Sequence, residues 1–381
     1  MTVPTNGVAT PTVNFVVSHL HPTLGLEKAA LELFKSLKSA GVETNVIALG
    51  GGSEDQAMLP SISLCGTRQR GMARLNVMRG RRARHFEVPH APTVLVGVWA
   101  AIPYLLFGRG RPRQLVVWEH SLISEKVRAN RTLPLLRMAA RWLYRRADVV
   151  VAVSAPLAKD LSSKMSLRRV VTIPNITGPA APLSQEVVQR RRDSLERTQL
   201  IAIGSLTRTK NQQLILRALP LLPNNYSLTI VGDGPDRKML RQLAESLGIE
   251  DRVTFAGRLE PSGVAHALSE AHIMVHTALG ETFGYVYIEA AQAGVPVVST
   301  TSELAEEMIP RYAPGLICDR SPEGLAETIT LISEYSDAEI GIEAARQSRE
   351  SDFAEPEIVS RWRHAFGWTD GSPQRGSMFG G

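Results

Sequence analysis

Short runs of β-branched and other apolar residues alternate with longer amphipathic stretches along the whole chain. The runs are apolar on both faces, which is typical of strands buried within a parallel sheet. Six such runs stand in each half, at 13–18, 45–49, 93–99, 114–119, 148–154 and 170–174, then at 200–205, 227–232, 253–257, 273–278, 295–300 and 315–318. Amphipathic segments such as 26–39 and 211–222 are predicted helices. Two βαβ series predict an α/β protein with two doubly wound, Rossmann-like domains.

The chain of 381 residues exceeds the roughly 250–300 residues at which a single hydrophobic core stops growing, so its length also indicates two domains. Gly, Pro and Ser cluster in GPAAPLS, between the last predicted strand of the first half and a charged helical stretch. The predicted divisions are a first domain at 1–180, a second domain at 181–355, a C-terminal helix at 356–366 and a flexible tail at 367–381. Ligands of such folds bind beyond the carboxyl ends of the strands, which predicts an active site between the two domains.

Charge is divided unevenly between the two halves. Residues 1–180 contain 24 basic and 10 acidic side chains, whereas residues 181–381 contain 19 basic and 27 acidic ones, for a net charge of +6. The basic half indicates an anionic partner such as nucleic acid, acidic lipid or a phosphorylated substrate. The segment 66–86 carries seven arginines among apolar residues and could lie on an anionic membrane or bind an anionic acceptor. A solvated loop and helix face is the alternative interpretation.

Cellular location is predicted from three features that are missing. No apolar run reaches the ~18–20 residues that a membrane-spanning helix needs. The N-terminal stretch has neither a basic start nor an apolar core, so no secretory signal is predicted. Cys65 and Cys318 are too few for a disulfide scaffold, and both are interpreted as small buried hydrophobic residues. These features predict a cytoplasmic protein, with peripheral contact at the inner face of the membrane left open.

The most informative stretch is GETFGYVYIEAAQAGVPVVST, residues 280–300, in which seven residues separate Glu281 from Glu289. Between these two carboxylates stand Phe283, Gly284 and Tyr285. A helix that begins near Gly284 would direct its first N–H groups at an anionic ligand, and would stabilise a diphosphate without a metal ion. Glu281, on the loop, could accept hydrogen bonds from sugar hydroxyls, and Glu289, just over a turn inside the helix, could accept both ribose hydroxyls.

With EAAQAGVPVVS after it, ETFGYVYIE resembles the motif of the retaining glycosyltransferases of family 4, which have the GT-B fold. The resemblance covers roughly residues 13–366. It implies two Rossmann-like domains facing a central cleft, with a nucleotide-sugar donor on the second domain and the acceptor on the basic first domain. It also implies a C-terminal helix that crosses back to the first domain. Phe283, Gly284 and Tyr285 would bind the donor diphosphate.

Two upstream segments of the second half are also similar to the family. In IAIGSLTRTKNQQLILRAL, Lys210 matches the lysine that binds the donor diphosphate. The family's arginine in this loop is Ser205 here, so Arg208 is assigned as the second cation. The segment 228–259 is similar to the region that encloses the nucleobase. Its members in this chain are Gly232, Gly257, Arg258 and Leu259.

In the first half, VVWEHS places His120 at the end of a predicted strand, where the family often has a histidine near the transferred sugar. The resemblance assigns it to positioning or polarising that sugar. Gly25 matches a glycine that brings backbone N–H groups to the phosphates, although the family commonly has a second glycine where Leu24 stands. A further departure follows the glutamate motif, where Ser302 and Glu303 replace a Gly-Gly pair, so the donor sugar is left open.

Simpler interpretations exist for each candidate. Without the resemblance, Lys210 and Arg208 would pass as a solvated loop pair, and Glu281 and Glu289 as charges that complement a helix dipole. A lone histidine on a strand is usually a core or surface residue. That interpretation is adopted for His266, His272 and His276.

The sequence therefore predicts a retaining transferase that moves a hexose or N-acetylhexosamine from a nucleotide diphosphate sugar, with UDP favoured, to a hydroxyl of a small-molecule, glycan or lipid-linked acceptor. No cofactor or metal ion is expected, since no DxD or Cys/His zinc motif is present. Three alternatives stay open. They are a GT-B epimerase, an inverting GT-B transferase with His19 or His21 as base, and a polyanion- or nucleic-acid-binding protein. No nucleic acid is expected, because the arginines lack interleaved aromatic residues.

Overall fold

The computed structural model describes residues 10–17, 25–48, 62–64, 91–97, 112–122, 134–177, 197–335 and 342–368. The chain divides into two compact units. The first comprises Met1–Ile176 together with Phe353–Gly381, and the second comprises Thr177–Asp352. The basic segment 66–86, the linker at 178–184 and residues 369–381 of the predicted tail 367–381 lie outside the described residues.

The first unit is built on a parallel sheet. Its elements in chain order are β1 (Thr12–Val17), α1 (Gly25–Ser39), β2 (Glu43–Ala48), β3 (Ile62–Leu64), β4 (Thr93–Val96), β5 (Leu115–Glu119), α2 (Pro134–Tyr144), β6 (Val149–Ala152), α3 (Ala155–Lys164) and β7 (Val170–Thr172). The described strands pair in parallel in the order β3-β2-β1-β4-β5-β6-β7. The six predicted strands are all present. Strand β3 is an addition, and its three residues are too few to form a recognisable apolar run.

Burial explains why these segments form this sheet. Five of the six residues of β1 are buried, as are all those of β4 and β5, which is the two-sided burial that their continuous apolar runs predict. Helix α1 covers the sheet with a stripe whose members recur every three or four residues: Ala29, Ala30, Leu33, Phe34 and Leu37. The rings of Phe15 and Phe34 meet with centroids 4.6 Å apart. Full burial of a leucine or phenylalanine side chain contributes about 1.5–3 kcal/mol.

The second unit repeats the pattern. Its elements are β8 (Thr198–Ile203), α4 (Gln213–Ala218), β9 (Tyr226–Val231), α5 (Arg237–Ser246), β10 (Val253–Gly257), α6 (Pro261–Glu270), β11 (Ile273–His276), α7 (Tyr285–Gln292), β12 (Val297–Thr300), α8 (Glu303–Arg311), β13 (Gly315–Cys318), α9 (Pro322–Ser333) and α10 (Ile342–Asp352). The described strands pair in parallel in the order β10-β9-β8-β11-β12-β13. All six predicted strands are present, and the prediction of two doubly wound domains is confirmed.

The last helix, α11 (Glu355–Ala365), belongs to the first unit. Its Trp362 is buried, and the ring meets that of Trp118 on β5 edge to face at 5.1 Å between centroids. The side-chain amide of Gln114, just before β5, donates to the carbonyl of Ala365 at 2.6 Å. Within the described ranges, no helix is both long enough and apolar enough to cross a membrane.

Candidate functional site

The strand order of the second unit determines where a ligand can bind. Chain order reverses between β8 and β11, because β9 and β10 lie on one side of β8 whereas β12 and β13 lie on the far side of β11. Adjacent loops that leave such strands in opposite directions open a crevice at the carboxyl ends. The loop after β8 contains Arg208 and Lys210, and the loop after β11 contains Glu281. The fold thus brings the two predicted loops to one point of one sheet.

One side-chain hydroxyl and one backbone N–H fix these two loops to each other. The hydroxyl of Thr277 donates to the carbonyls of Lys210 and Asn211, at 3.2 and 2.9 Å. The N–H of Leu279 donates to the carbonyl of Thr209 at 2.7 Å. Asn211 adopts a positive φ of 54°, a conformation that asparagine tolerates better than most residues. The relative position of the loops is therefore set before any ligand arrives.

Lys210 and Glu281 form an ion pair across the crevice. The Lys210 ammonium donates a short hydrogen bond to one carboxylate oxygen of Glu281, and the N–H of Thr282 donates to the other at 3.1 Å. Both side chains are mostly buried. Burial by itself would raise the pKa of the Glu281 carboxyl, but Lys210, His276 and these hydrogen bonds together hold that pKa below its ordinary value. Glu281 is therefore ionised, and its partner is a lysine that the sequence assigns to a different part of the ligand.

Arg208 stands on the same turn as Lys210, whose N–H donates to the carbonyl of Thr207 at 2.9 Å. Its side chain is exposed, as is Ser205, which occupies the family's arginine position. Within the described part of the chain no hydrogen bond or ion pair is found for the Arg208 side chain. The structure therefore leaves its guanidinium available on the loop, without bringing it to Lys210 or Glu281.

His276 is the functional candidate that sequence reasoning missed. It is the last residue of β11, is 5% exposed, and its Nε2 is buried with no hydrogen-bond partner among the described residues. Burial, reinforced by the charge of Lys210 and opposed by that of Glu281, lowers the pKa of His276 to about 4. A neutral imidazole thus neighbours the ion pair. The available sequence signal was a polar residue ending an apolar strand, five positions before Glu281.

A buried aromatic cluster sets the start of helix α7. The rings of His276 and Tyr287 meet edge to face with centroids 4.9 Å apart, and the hydroxyls of Tyr287 and Ser299 share a hydrogen bond of 2.8 Å. Gly284 precedes the helix in the left-handed conformation, with φ 69°. A Cβ at Gly284 would lie 2.6 Å from the Tyr287 ring, so only glycine fits here. The predicted helix start near Gly284 is confirmed.

The other predicted residues of this motif lie on or beside the first turns of helix α7. Phe283 is buried and its ring meets that of Tyr285, with centroids 4.8 Å apart. Glu289 is the fifth residue of α7 and is partly exposed, so it stands about one turn further along than Tyr285. The structure places both glutamates of the motif in one loop-helix segment, but only Glu281 contacts Lys210.

The predicted nucleobase region packs against the lysine loop. The N–H of Gly232 donates to the carbonyl of Gly257 at 2.7 Å, so these two residues, 25 positions apart, are neighbours. A Cβ at Gly232 would lie 2.0 Å from the carbonyl oxygen of Gly204. The Lys210 side chain also lies against Gly204, since a Cβ at Gly204 would be 3.6 Å from the lysine Cε. The close approach needs glycine at 232.

Arg258 and Leu259 directly follow Gly257, and Arg258 is exposed while Leu259 is partly buried. Arg258 also contributes to the electrostatics of Asp233, whose pKa is lowered chiefly by the N–H of Gly234, which donates to that carboxylate at 2.9 Å. The predicted diphosphate and nucleobase regions thus adjoin each other at Gly204 and Gly232 of the second unit.

In the first unit, a buried carboxylate fixes the turn that carries His120. One oxygen of Glu119, a fully buried residue, accepts the N–H groups of His120 and Ser121 at 2.9 and 2.7 Å. The other oxygen accepts a short hydrogen bond from the hydroxyl of Tyr144 on α2. The phenol stays protonated, because burial, then the charge of Glu119, raises the Tyr144 pKa well above its ordinary value. Sequence reasoning did not single out Glu119 or Tyr144.

The ring of His120 lies against that of Trp118, with centroids 4.4 Å apart. The residue is partly exposed, whereas its Nε2 is shielded from solvent and has no hydrogen-bond partner among the described residues. Burial lowers the His120 pKa to about 3, so this imidazole is also neutral. Gly25 is the first residue of α1 in the same unit, as its predicted place before helix 26–39 requires. Among the residues the structure describes, no three His, Cys, Asp or Glu side chains are grouped to hold a metal ion.

The structure contains two doubly wound parallel sheets, and the second carries a cation, a carboxylate and a helix start at its switch point. This arrangement is that of the glycosyltransferases with the GT-B fold. The model of Glycosyltransferase Family 4 matches residues 24–177, and that of Glycosyl transferases group 1 matches residues 185–348. The chain belongs to family 4 of the glycosyltransferases, which confirms the resemblance drawn from its motifs.

Two curated relatives illustrate the similarity. N-acetyl-alpha-D-glucosaminyl L-malate synthase of Bacillus anthracis is 28% identical over 237 residues, which is 60% of this chain and 62% of that relative. GDP-mannose-dependent alpha-(1-6)-phosphatidylinositol monomannoside mannosyltransferase of Mycobacterium tuberculosis is 30% identical over 241 residues, 56% of this chain and 60% of that relative. The matched part spans about three-fifths of the length of each of these relatives.

A solved structure extends the similarity of fold. The crystal structure of Anabaena HepE in complex with UDP and glucose superposes with a TM-score of 0.74 at 20% sequence identity, and the match covers 94% of this chain and 99% of that one. At this identity the similarity establishes the GT-B fold, which the two sheet orders show independently.

Proposed function

We propose that the protein is a retaining glycosyltransferase that moves a hexose or N-acetylhexosamine from a UDP-sugar to a hydroxyl acceptor without a metal ion. The observation that carries the proposal is the ion pair between Lys210 and Glu281 at the switch point of the second unit, beside the start of helix α7. A cation and helix N–H groups serve an anionic leaving group, and a carboxylate serves the hydroxyls of a sugar.

The donor diphosphate would be bound by Lys210, by Arg208 from the exposed side of the same turn, and by the N–H groups of the first turn of α7 at 283–285. Lys210 must then exchange the Glu281 carboxylate for phosphate oxygens. Cations and N–H groups directed at the leaving group stabilise the charge that develops on it, which is the task a metal ion performs in other transferases. Gly25, at the start of α1, is assigned to the phosphates as a separate proposal for the first unit.

Glu281, released from Lys210, would accept hydrogen bonds from hydroxyls of the transferred sugar. Glu289, about one turn along α7, would accept both ribose hydroxyls, since a carboxylate can take a bidentate diol. The base would lie against the surface of Gly232, Gly257, Arg258 and Leu259, and be bound mainly by backbone groups.

The reaction needs no covalent intermediate. The bond between the anomeric carbon and the β-phosphate oxygen breaks, and the acceptor oxygen bonds the anomeric carbon on the same face. The acceptor proton passes to the departing phosphate oxygen, which yields the glycoside and a nucleoside diphosphate. Glu119 fixes the turn that carries His120, and the imidazole there is neutral. We propose that this imidazole positions the sugar and is not the base.

The names of the relatives support the reaction class and leave the donor to experiment. One relative is named for an N-acetylglucosaminyl product and another for use of GDP-mannose, while HepE was crystallised with UDP and glucose. The acceptors in the first two names, malate and a phosphatidylinositol mannoside, both offer a hydroxyl. A hydroxyl acceptor is therefore proposed here too, and a small molecule, a glycan and a lipid-linked sugar are all candidates.

A thermal-shift screen with UDP, GDP and ADP, followed by transfer assays with their sugars, tests the proposal. UDP should raise the melting temperature most, and NMR of the product should show the anomeric configuration of the donor. Activity should persist in EDTA. Stabilisation by GDP alone would overturn the choice of UDP, inversion would overturn retention, and epimerisation without an acceptor would overturn transfer. If no nucleotide stabilises the protein, the donor site itself is refuted.

Glu289→Ala provides the residue-level test. It should reduce kcat/KM for the donor by about 10–100-fold, because two hydroxyls lose their acceptor. The variant should also no longer distinguish UDP from 2′-deoxy-UDP. Glu327→Ala, an exposed glutamate on α9, is the matched control and should leave activity unchanged. Retained discrimination in Glu289→Ala would remove this residue from the ribose site.

A further inference from the structure

Helix α2 in the first unit presents apolar side chains to solvent. Met138 is 67% exposed and Trp142 is 50% exposed, and the two stand four residues apart on one face of the helix. Its other face is anchored in the unit, since Ala140, Leu143 and Tyr144 are buried. The helix is therefore held firmly by one side while a large aromatic and a flexible apolar side chain project from the other.

Positive charge surrounds these two side chains. Arg145 and Arg146 are exposed, and Arg141 is partly exposed, one turn from Met138. The guanidinium of Arg146 lies 3.9 Å from the centre of the Trp142 ring. Residues 134–147 contain no aspartate or glutamate, so nothing within this stretch neutralises the arginines. The face is both apolar and cationic, and its complement is an apolar, anionic surface.

The second unit also exposes apolar side chains, but in a different electrostatic setting. Leu221 and Leu331 are also exposed, 53% and 43%, and line a shallow surface depression. That depression is rimmed by acidic side chains: Glu323, Glu327 and Glu334. An anionic surface would be repelled there. Exposed apolar residues alone are common on proteins, so the arginines around Trp142 are the distinguishing feature of α2.

We propose that helix α2 docks the first unit on an anionic phospholipid bilayer, with Met138 and Trp142 among the headgroups and upper acyl chains and the arginines on lipid phosphates. Tryptophan, with its apolar ring and polar N–H, is suited to this depth of a membrane. A helix lying in the interface combines burial of an apolar face with attraction between arginines and anionic headgroups. This surface is distinct from segment 66–86, and it goes beyond the proposed transfer reaction.

The test is sedimentation of the full chain with vesicles of phosphatidylcholine alone and of phosphatidylcholine mixed equally with phosphatidylglycerol. The protein should bind the mixed vesicles and not the neutral ones, and added salt should release it. Met138→Ser/Trp142→Ser and Arg145→Gln/Arg146→Gln should each lower binding by about tenfold or more. Leu221→Ser/Leu331→Ser is the matched control and should bind like the wild type. Binding should also shift the tryptophan emission of the wild type to shorter wavelength, and this shift should be absent in Met138→Ser/Trp142→Ser.

Equal binding to neutral vesicles would overturn the proposal, as would binding that survives the Met138→Ser/Trp142→Ser change, since another segment would then make the contact. Self-association that this change abolishes, without any vesicle binding, would assign the face to a second copy of the chain and equally refute it. Unchanged melting temperatures show that the variants fold. The assay contains no nucleotide sugar, so its failure is separate from a failure of the proposed transfer reaction.

Discussion

Both units place a histidine whose Nε2 is shielded from solvent at the carboxyl end of a parallel strand. His276 ends β11, and His120 directly follows β5. In both, Nε2 is shielded from solvent and has no partner among the described residues, and in both burial makes the imidazole neutral. The solvation penalty is thus similar at the two positions. The two histidines differ in the residues that surround them.

His276 stands beside the ion pair of Lys210 and Glu281, which push its pKa in opposite directions. His120 lies on the ring of Trp118, and burial alone accounts for its low pKa. In the second unit, a lysine and a carboxylate that could each bind a different part of a ligand lie beside the histidine. In the first unit, the Glu119 carboxylate fixes a backbone turn. The same residue type in the same position of the same fold has a different electrostatic environment in each unit.

Removing the cation from this pair should have the largest effect. Lys210→Ala removes the proposed charge partner of the diphosphate and leaves the mostly buried Glu281 carboxylate uncompensated. Loss of one such electrostatic contact costs about 10²–10³-fold in rate, so kcat/KM for the donor should fall by that order. The measurement is steady-state transfer at several donor concentrations. Lys38→Ala, at an exposed position of α1, is the control, and equal activity in both variants would refute the assignment.

The neutral state of His276 makes stability depend on pH. The unfolded chain takes up a proton near pH 6.5 and the folded protein only near pH 4, so the contribution is complete above pH 6.5 and is lost as the pH falls towards 4. The full difference is about 3 kcal/mol. Melting temperatures of the wild type and His276→Asn between pH 7 and 4 should converge on acidification. Parallel curves would show that the His276 pKa is not lowered.

Tyr144→Phe tests the role of the carboxylate in the first unit. It removes the hydroxyl that donates to Glu119, and a hydrogen bond to a charged group contributes about 1.5–3 kcal/mol. The melting temperature should fall, and transfer activity should fall with it if the His120 turn loosens. Stabilisation by UDP should be unchanged, because neither Tyr144 nor Glu119 is assigned to the UDP site. A lower UDP response in this variant would contradict the separation of the two environments.

The smallest expected effect separates the two histidines directly. His276→Asn should weaken the thermal stabilisation by UDP a few-fold in apparent affinity, since it disturbs the neighbour of the ion pair and the packing on Tyr287. His120→Asn should leave UDP binding unchanged and lower the rate of transfer. A UDP response altered equally by both substitutions would show that the contrast between the two environments has no functional meaning.

Much of the secondary structure could be predicted from local sequence patterns. Two-sided apolar runs predicted all six strands of the second sheet and six strands of the first, and Gly284 marked the start of α7. Strand β3 was missed because its three residues pair only at the edge of the sheet, where no apolar run is needed. His276 was interpreted as a core or surface residue. It is buried, but its proximity to Lys210, 66 positions earlier, depends on strand order and not on spacing.

The sequence by itself determined the fold class and the family motif that includes Glu281 and Glu289, because strand burial and helix starts are encoded in neighbouring residues. Only the tertiary structure decided that Lys210 pairs with Glu281, that Glu119 fixes the His120 turn and that Met138 and Trp142 face solvent. These relations depend on which strands are adjacent and on which side of a helix is covered. Both are settled by long-range packing, which no local pattern of residues specifies.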